Sequence, residues 1–123
     1  MSKVKFAIIG CGRIASRHIE AINAIENARL VAVCDIVKER AEKYAAENNI
    51  KAYSSYHEML KTESIDVVNI MTPSGMHPEH AIEIMDKYKK HVVIEKPMAL
   101  RISDGEDMIA AAAKNKVGLF SVL

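Results

Sequence analysis

The sequence predicts an α/β fold: one domain of three layers built on a doubly wound parallel sheet. Three observations point there. Short apolar runs alternate with longer amphipathic stretches along the whole chain, as in successive βαβ units. The first apolar run ends in a glycine-rich turn, and the second ends on an aspartate. The 123 residues suit a single domain, which at this size hides roughly two-thirds of the surface its unfolded chain exposes.

Val4 to Ile9 is an apolar run broken only by Lys5 and followed at once by glycines, which predicts the first strand. From Arg13 to Ile25, Ile14, Ile22 and Ile25, with Ala15, Ile19 and Ala21, recur at helical spacing. Leu30 to Cys34 is a second buried strand, ending at Asp35, and Val37 to Glu47 reads as a helix with Glu39 and Lys43 placed for an ion pair. A short strand surrounds Ala52 and Tyr53. Ser55 and Glu58 then have capping-box spacing for a brief helix through Met59 and Leu60. Ile65 to Met71 is the next strand, stopped by Thr72-Pro73-Ser74-Gly75, and Pro78 fits the first turn of a helix reaching about Tyr88. His91 to Glu95 is a strand ended by Lys96-Pro97. Ser103 and Glu106 form a second capping-box spacing, with Asp104 and Asp107 in the same first turn, for a helix closing on Lys114 and Lys116. Val117 to Leu123 is a final strand. Right-handed crossovers leave few topologies open for this order. The chain stops in that apolar run with no polar tail, so the expectation is a cut at a domain boundary.

Composition bounds the function. The sequence is 50% hydrophobic and 27% charged, an ordinary soluble profile, and its net charge of +1 creates no field drawing it to nucleic acid or anionic lipid. No basic stripe interleaves Tyr44, Tyr53, Tyr56 and Tyr88, which read as core or rim packing. The longest apolar runs, five or six residues, fall far short of a membrane span, and no signal-peptide cleavage pattern follows Met1. A cytoplasmic protein with no nucleic-acid and no membrane partner is expected. Cys11 and Cys34 suggest no disulfide framework; filling of small sites near one sheet edge is favoured over a redox role.

The chemistry starts at Gly10-Cys11-Gly12-Arg13-Ile14-Ala15, which fits the dinucleotide fingerprint G-x-G-x-x-G/A of the Rossmann fold. Gly10 permits the tight turn, Gly12 lets the backbone approach a pyrophosphate, and Ala15 lets the helix pack closely. The helix N-terminus then points free N–H groups at the phosphates, and Arg13 and Ile14 are among the residues expected to hold the adenosine and pyrophosphate. Arg13 reads equally as solvent-exposed or as a pyrophosphate contact. Asp35 lies 20 residues beyond Ala15, where a carboxylate accepts from the adenosine ribose hydroxyls and repels a 2′-phosphate. NAD is expected over NADP, although Lys38 and Arg40 follow and would suit a phosphate if turned inward. Asp35 also has a plainer reading as the cap of the helix that follows.

A glycine loop alone names no reaction. Two later strand ends go further: Met71-Thr72-Pro73-Ser74-Gly75-Met76-His77 and Glu95-Lys96-Pro97. With Gly10 and Asp35, these segments make the whole chain resemble the N-terminal domain of the glucose–fructose oxidoreductase, inositol dehydrogenase and MocA family. Thr-Pro-x-x-x-His at one strand end and Glu-Lys-Pro at the next are a specific pairing. The resemblance implies that Met71, Thr72 and Pro73 lie along the nicotinamide half of the cofactor, with His77 bordering the same cleft. It implies that Glu95 contacts the nicotinamide ribose region, that Lys96 and Pro97 are also cofactor contacts, and that Lys96 reaches the substrate beside the nicotinamide as the catalytic residue of this domain. A lysine at a reacting hydroxyl can share its proton and steady developing negative charge. In plainer terms Lys96 is a loop residue, Pro97 a strand stop, and His77 the end of a turn or a helix cap.

His77 and His80 stand at a spacing metals use, but no carboxylate–cysteine set accompanies them, and no metal site is expected. His18 and His57 read as helix-surface or satisfied interior residues. The family also implies a substrate domain after residue 123, absent from this sequence, and a homo-oligomeric full-length protein. The expected activity is hydride transfer between a sugar ring alcohol and nicotinamide, and the fragment alone is expected to be inactive. Thr72 to Glu79 and Val92 to Leu100 look most like the dehydrogenases that oxidise UDP-N-acetylglucosamine-type sugars at carbon 3. The alternatives are an NAD(H)-sensing module without chemistry, which has no need of Lys96, and a methyltransferase, which explains neither later motif.

Overall fold

The computed structural model describes residues 3–95, 99 and 101–121, and Lys96 and Pro97 lie outside them. Six parallel strands form one sheet: β1 (Val4–Ile9), β2 (Ala28–Cys34), β3 (Lys51–Tyr53), β4 (Val67–Ile70), β5 (His91–Ile94) and β6 (Leu119–Ser121), in the order β3-β2-β1-β4-β5-β6. The inner strands, covered on both faces, have to be near-continuous apolar runs, whereas the edge strands β3 and β6 are short and partly exposed. The β1–β2 register shifts between Phe6 and Ala7, whose partners are Leu30 and Ala32; the bulge leaves Val31 as the extra residue.

Helices α1 (Ala15–Ala24) and α2 (Lys38–Asn48) cover one face, burying Ala15, Ile19, Ile22, Ala41 and Ala45 against Ile8, Leu30 and Val33. On the other face, α3 (Tyr56–Thr62), α4 (His77–Glu83) and α5 (Ile102–Asn115) bury Met59, Leu60, Ala81, Met108 and Ala112 against Ala7, Ile9, Val68 and Ile94. The three layers follow the predicted class.

The local differences have physical causes. Helix α1 begins at Ala15 because Gly12, Arg13 and Ile14 make a turn first, with Ala15 N donating to the Gly12 carbonyl (3.2 Å). Ser55 Oγ accepts from Glu58 N (3.4 Å), as the first capping box predicts. The second box does not form: the Arg101 carbonyl accepts from Gly105 N, α5 already runs from Ile102, and Ser103 sits inside its first turn. Glu39 and Lys43, both exposed, form no ion pair. The helix expected to reach Tyr88 does so, but its last stretch, Ile84–Tyr88, is wound as a π-turn.

Candidate cofactor crevice

The strand order reverses between β1 and β4, so the loops leaving β1 and β4 diverge and open a crevice outside the carboxyl ends of the strands. Gly10 opens it. Its φ is +93°, and an added Cβ would stand 2.8 Å from the Met71 carbonyl carbon. Gly10 is therefore required by the close approach of the two strand exits, as well as by the turn. Gly12 differs: a Cβ there would meet nothing within 4 Å. This is open space in front of the loop, where a side chain would take the room a phosphate needs.

The donors face that room. No side chain caps α1, and the main-chain N–H groups of Gly12, Arg13 and Ile14 donate to no group among the described residues. Uncapped donors at a helix N-terminus suit an anion, through direct hydrogen bonds and the helix dipole together. Arg13 and Ile14 are exposed beside them. A dinucleotide diphosphate fits this geometry.

Asp35, buried at 8% exposure, ties the loop to the next helix. Its Oδ2 accepts from Cys11 N (2.7 Å) and its Oδ1 from Val37 N (2.8 Å). Asp35 is not the helix cap of its plainer reading: α2 starts at Lys38 with Val37 at its cap position and no side-chain cap bond, and the bond from Val37 N is a turn ahead of the helix. It stands at the end of β2 beside the glycine loop. Tyr44, read as packing, also donates its hydroxyl to the Gly12 carbonyl (3.1 Å). Lys38 and Arg40 are exposed on α2. Burial first, and the Asp35 charge second, push the Cys11 and Cys34 thiols up to about 12, which makes them inert fillers at the paired ends of β1 and β2.

Past β4, Thr72 is held twice. His77 Nε2 donates to the Thr72 carbonyl (2.6 Å), and Thr72 Oγ1 bonds His80 Nδ1 (3.1 Å). His77 is only 1% exposed, so it works here as a brace on the Thr72 peptide, beneath the loop it was expected to border. Burial, the largest influence on His80, holds its pKa below the usual histidine value. Met71 N is fixed by the Ile9 carbonyl (2.7 Å), while Pro73 is exposed. No group of three or more metal-ligating side chains occurs among the described residues. Tyr56 and His57 on α3 pair with Glu83 of α4 and with Tyr88 of the π-turn that follows, and the Tyr56 ring packs edge-on against His80.

Glu95, half-buried at the end of β5, accepts from His18 Nε2 (2.6 Å), and His18 Nδ1 accepts from the Asn69 amide (3.0 Å). Sequence reasoning placed His18 only as a generic interior or surface residue and missed Asn69. The available signal was an asparagine inside the otherwise apolar strand Val67-Val68-Asn69-Ile70. It also missed Ile36, 91% exposed next to Asp35, an apolar surface at the adenosine end of the crevice.

A model of the oxidoreductase family with the NAD-binding Rossmann fold (GFO_IDH_MocA) matches residues 4–122. The scyllo-inositol 2-dehydrogenase (NADP(+)) IolU of Bacillus subtilis is 38% identical over 98% of this chain and 37% of its own length. Among solved structures, the WlbA dehydrogenase of Chromobacterium violaceum, in complex with NADH and UDP-GlcNAcA, superposes with a TM-score of 0.94 at 39% identity, over 99% of this chain and 35% of that one. The Bordetella pertussis WlbA dehydrogenase, in complex with the same two molecules, gives 0.93 at 40% identity, over 98% and 37%. The chain thus spans little more than a third of the length of these proteins.

Proposed function

The chain belongs to the Gfo/Idh/MocA oxidoreductase family, and on that premise we propose that it is the cofactor domain of an NAD-dependent dehydrogenase acting on a ring alcohol of a sugar or nucleotide sugar. The observation that carries the reading is the loop after β1: three N–H groups without a partner among the described residues, open space at Gly12, and the Asp35 carboxylate beside them. Gly10, Gly12, Arg13, Ile14 and Asp35 hold the adenosine and diphosphate half. Met71, Thr72, Pro73 and Glu95 serve the other half, with His77 bracing Thr72 from beneath, and the motif assigns Lys96 and Pro97, which lie outside the described residues, to the same half. NAD, when bound, supplies the hydride acceptor. Lys96 touches the reacting hydroxyl and shares its proton, work for which lysine is suited because burial shifts its pKa readily.

The nucleotide-sugar reading draws support from the two relatives whose structures carry UDP-GlcNAcA. The preference for NAD rests on Asp35, whose charge repels a 2′-phosphate. A substrate domain following residue 123, a homo-oligomeric full-length protein and a cytoplasmic location belong to the same proposal. No helix among the described residues is long and apolar enough to cross a membrane.

Titration with NADH, read by nicotinamide fluorescence, tests the reading; a folded protein giving no saturable signal overturns it. In the full-length protein, Lys96→Ala should cost at least roughly a hundredfold in turnover while cofactor binding persists. Unchanged turnover would leave only a sensing module.

A further inference from the structure

We propose that His18 is a positioning residue for the nicotinamide half of the crevice, set by Asn69 and acting through Glu95. The inference rests on the cofactor reading above and adds a residue to it. Helix α1 follows the glycine loop, so its first turn belongs to the adenosine and diphosphate half. His18 lies on the inner face of that helix, yet its imidazole reaches across to the end of β5, on the far side of the switch point.

The hydrogen bonds fix the chemistry. Asn69 Nδ2 is a donor, so the His18 Nδ1 it meets at 3.0 Å carries a lone pair. The ring proton of a neutral imidazole then sits on Nε2 and points at Glu95 Oε1, 2.6 Å away. A carboxylate held by one oxygen keeps a fixed plane and offers its other oxygen to the hydroxyls of a ribose. The ordering is done before the ligand arrives, which is how preorganisation raises affinity.

Asn69 is the sign that this arrangement is not packing alone. It is 4% exposed in the middle of β4, and its Oδ1 has no partner among the described residues. Stability alone would favour an aliphatic residue there, as at Val67, Val68 and Ile70. What the buried amide accomplishes is the orientation of His18. A local rule is broken where a site is served.

The test separates the two halves of the cofactor, using NADH for the whole and ADP for the adenosine and diphosphate half. His18→Asn keeps a polar group near Asn69 but falls short of Glu95; it should weaken NADH roughly tenfold and ADP less than about twofold. His18→Gln, whose amide reaches the Nε2 position, should restore most of the loss. Glu95→Ala, which removes the contact itself, should weaken NADH at least as much, and adding His18→Asn to it should cost nothing more. Asn69→Ala, which frees the imidazole without touching Glu95, gives a second reading should His18→Asn fail to show a cooperative thermal transition; NADH weakens and ADP does not. Equal weakening of NADH and ADP, or full additivity with Glu95→Ala, overturns the proposal in favour of a purely structural tie. An unmodified protein that binds no NADH sinks the cofactor reading itself, whereas normal NADH binding by His18→Asn sinks only the role given to His18.

Discussion

Exchanging each loop glycine for alanine separates what the fold needs from what the cofactor needs. At Gly10 the new Cβ would lie 2.8 Å from the Met71 carbonyl carbon and 2.9 Å from both the Met71 oxygen and the Thr72 nitrogen. All three are backbone atoms, and the β4 exit is pinned by the Met71 N to Ile9 carbonyl bond, so none can swing aside. The φ of +93° adds roughly 1–2 kcal/mol for an L-residue, and displacing packed atoms adds roughly 1–3 kcal/mol more. Gly10→Ala should therefore lose about 2–5 kcal/mol, a large part of the ~5–15 kcal/mol that holds a domain together, and melt roughly 10 °C or more lower. At Gly12 the new methyl meets nothing, so Gly12→Ala should stay within about 0.5 kcal/mol of the parent. It should nonetheless bind NADH at least roughly tenfold more weakly, because the methyl occupies the room for the diphosphate. Urea unfolding followed by circular dichroism, with NADH titration of each folded variant, measures both quantities. A Gly10→Ala protein with the parent's midpoint, or a Gly12→Ala protein with the parent's NADH affinity, would refute the corresponding half of the argument.

Replacing Asp35 by Ala leaves the Cys11 and Val37 amides without their acceptor and should cost about 1–3 kcal/mol, while the ratio of NADPH to NADH affinity rises; paired titrations and a urea midpoint check this. The Cys11 and Cys34 thiols, raised from 9.0 to about 12, should resist a disulfide reagent at pH 8 until the chain is unfolded. Because their folded pKa values are raised, the stability they contribute is complete below about pH 9 and drains as pH rises toward 12; a Cys11→Ala/Cys34→Ala protein should show a flatter alkaline limb. His80 has the opposite sign. Its pKa is lowered by burial, so its contribution is present above pH 6.5 and lost as pH falls below it, and His80→Asn should flatten the acid limb of the stability curve.

What could be read in the sequence was whatever is local in the chain. The inner strands were visible because a sheet covered on both faces needs consecutive apolar residues there, and the phosphate loop because its glycines, Ala15 and Asp35 obey a fixed spacing. Edges suffered where two local signals competed: Ser103 has the residue type of a cap, but the extended backbone of Arg101 had already started α5. The π-turn over Ile84–Tyr88 leaves no mark on an apolar periodicity. The relay from Asn69 through His18 to Glu95 was invisible for another reason. Its contacts join residues 51 and 77 positions apart, and they exist only because the chain crosses from β3 at one edge to β4 beside β1. Tyr44 and Gly12, 32 positions apart, were hidden in the same way.

Helix α1 is where these threads join. Its N-terminus presents the loop amides that have no partner among the described residues, Ala15, Ile19 and Ile22 seat it on the sheet, and His18 projects from the same inner stripe. An apolar residue at His18 would seat the helix as well, but it would leave the end of β5 unconnected to the loop after β1. Gly10 sets how closely the β1 and β4 exits approach, and His18 sets where the β5 exit stands relative to α1. Two independent constraints thus fix one crevice, one by the absence of a side chain and the other by a side chain held at both ring nitrogens. A ligand spanning both halves would feel a loosening of either constraint, whereas one confined to the adenosine half would feel only changes around Gly10, Gly12 and Asp35. Comparing a whole dinucleotide with its adenosine fragment therefore reads the geometry of the switch point directly, with no turnover required.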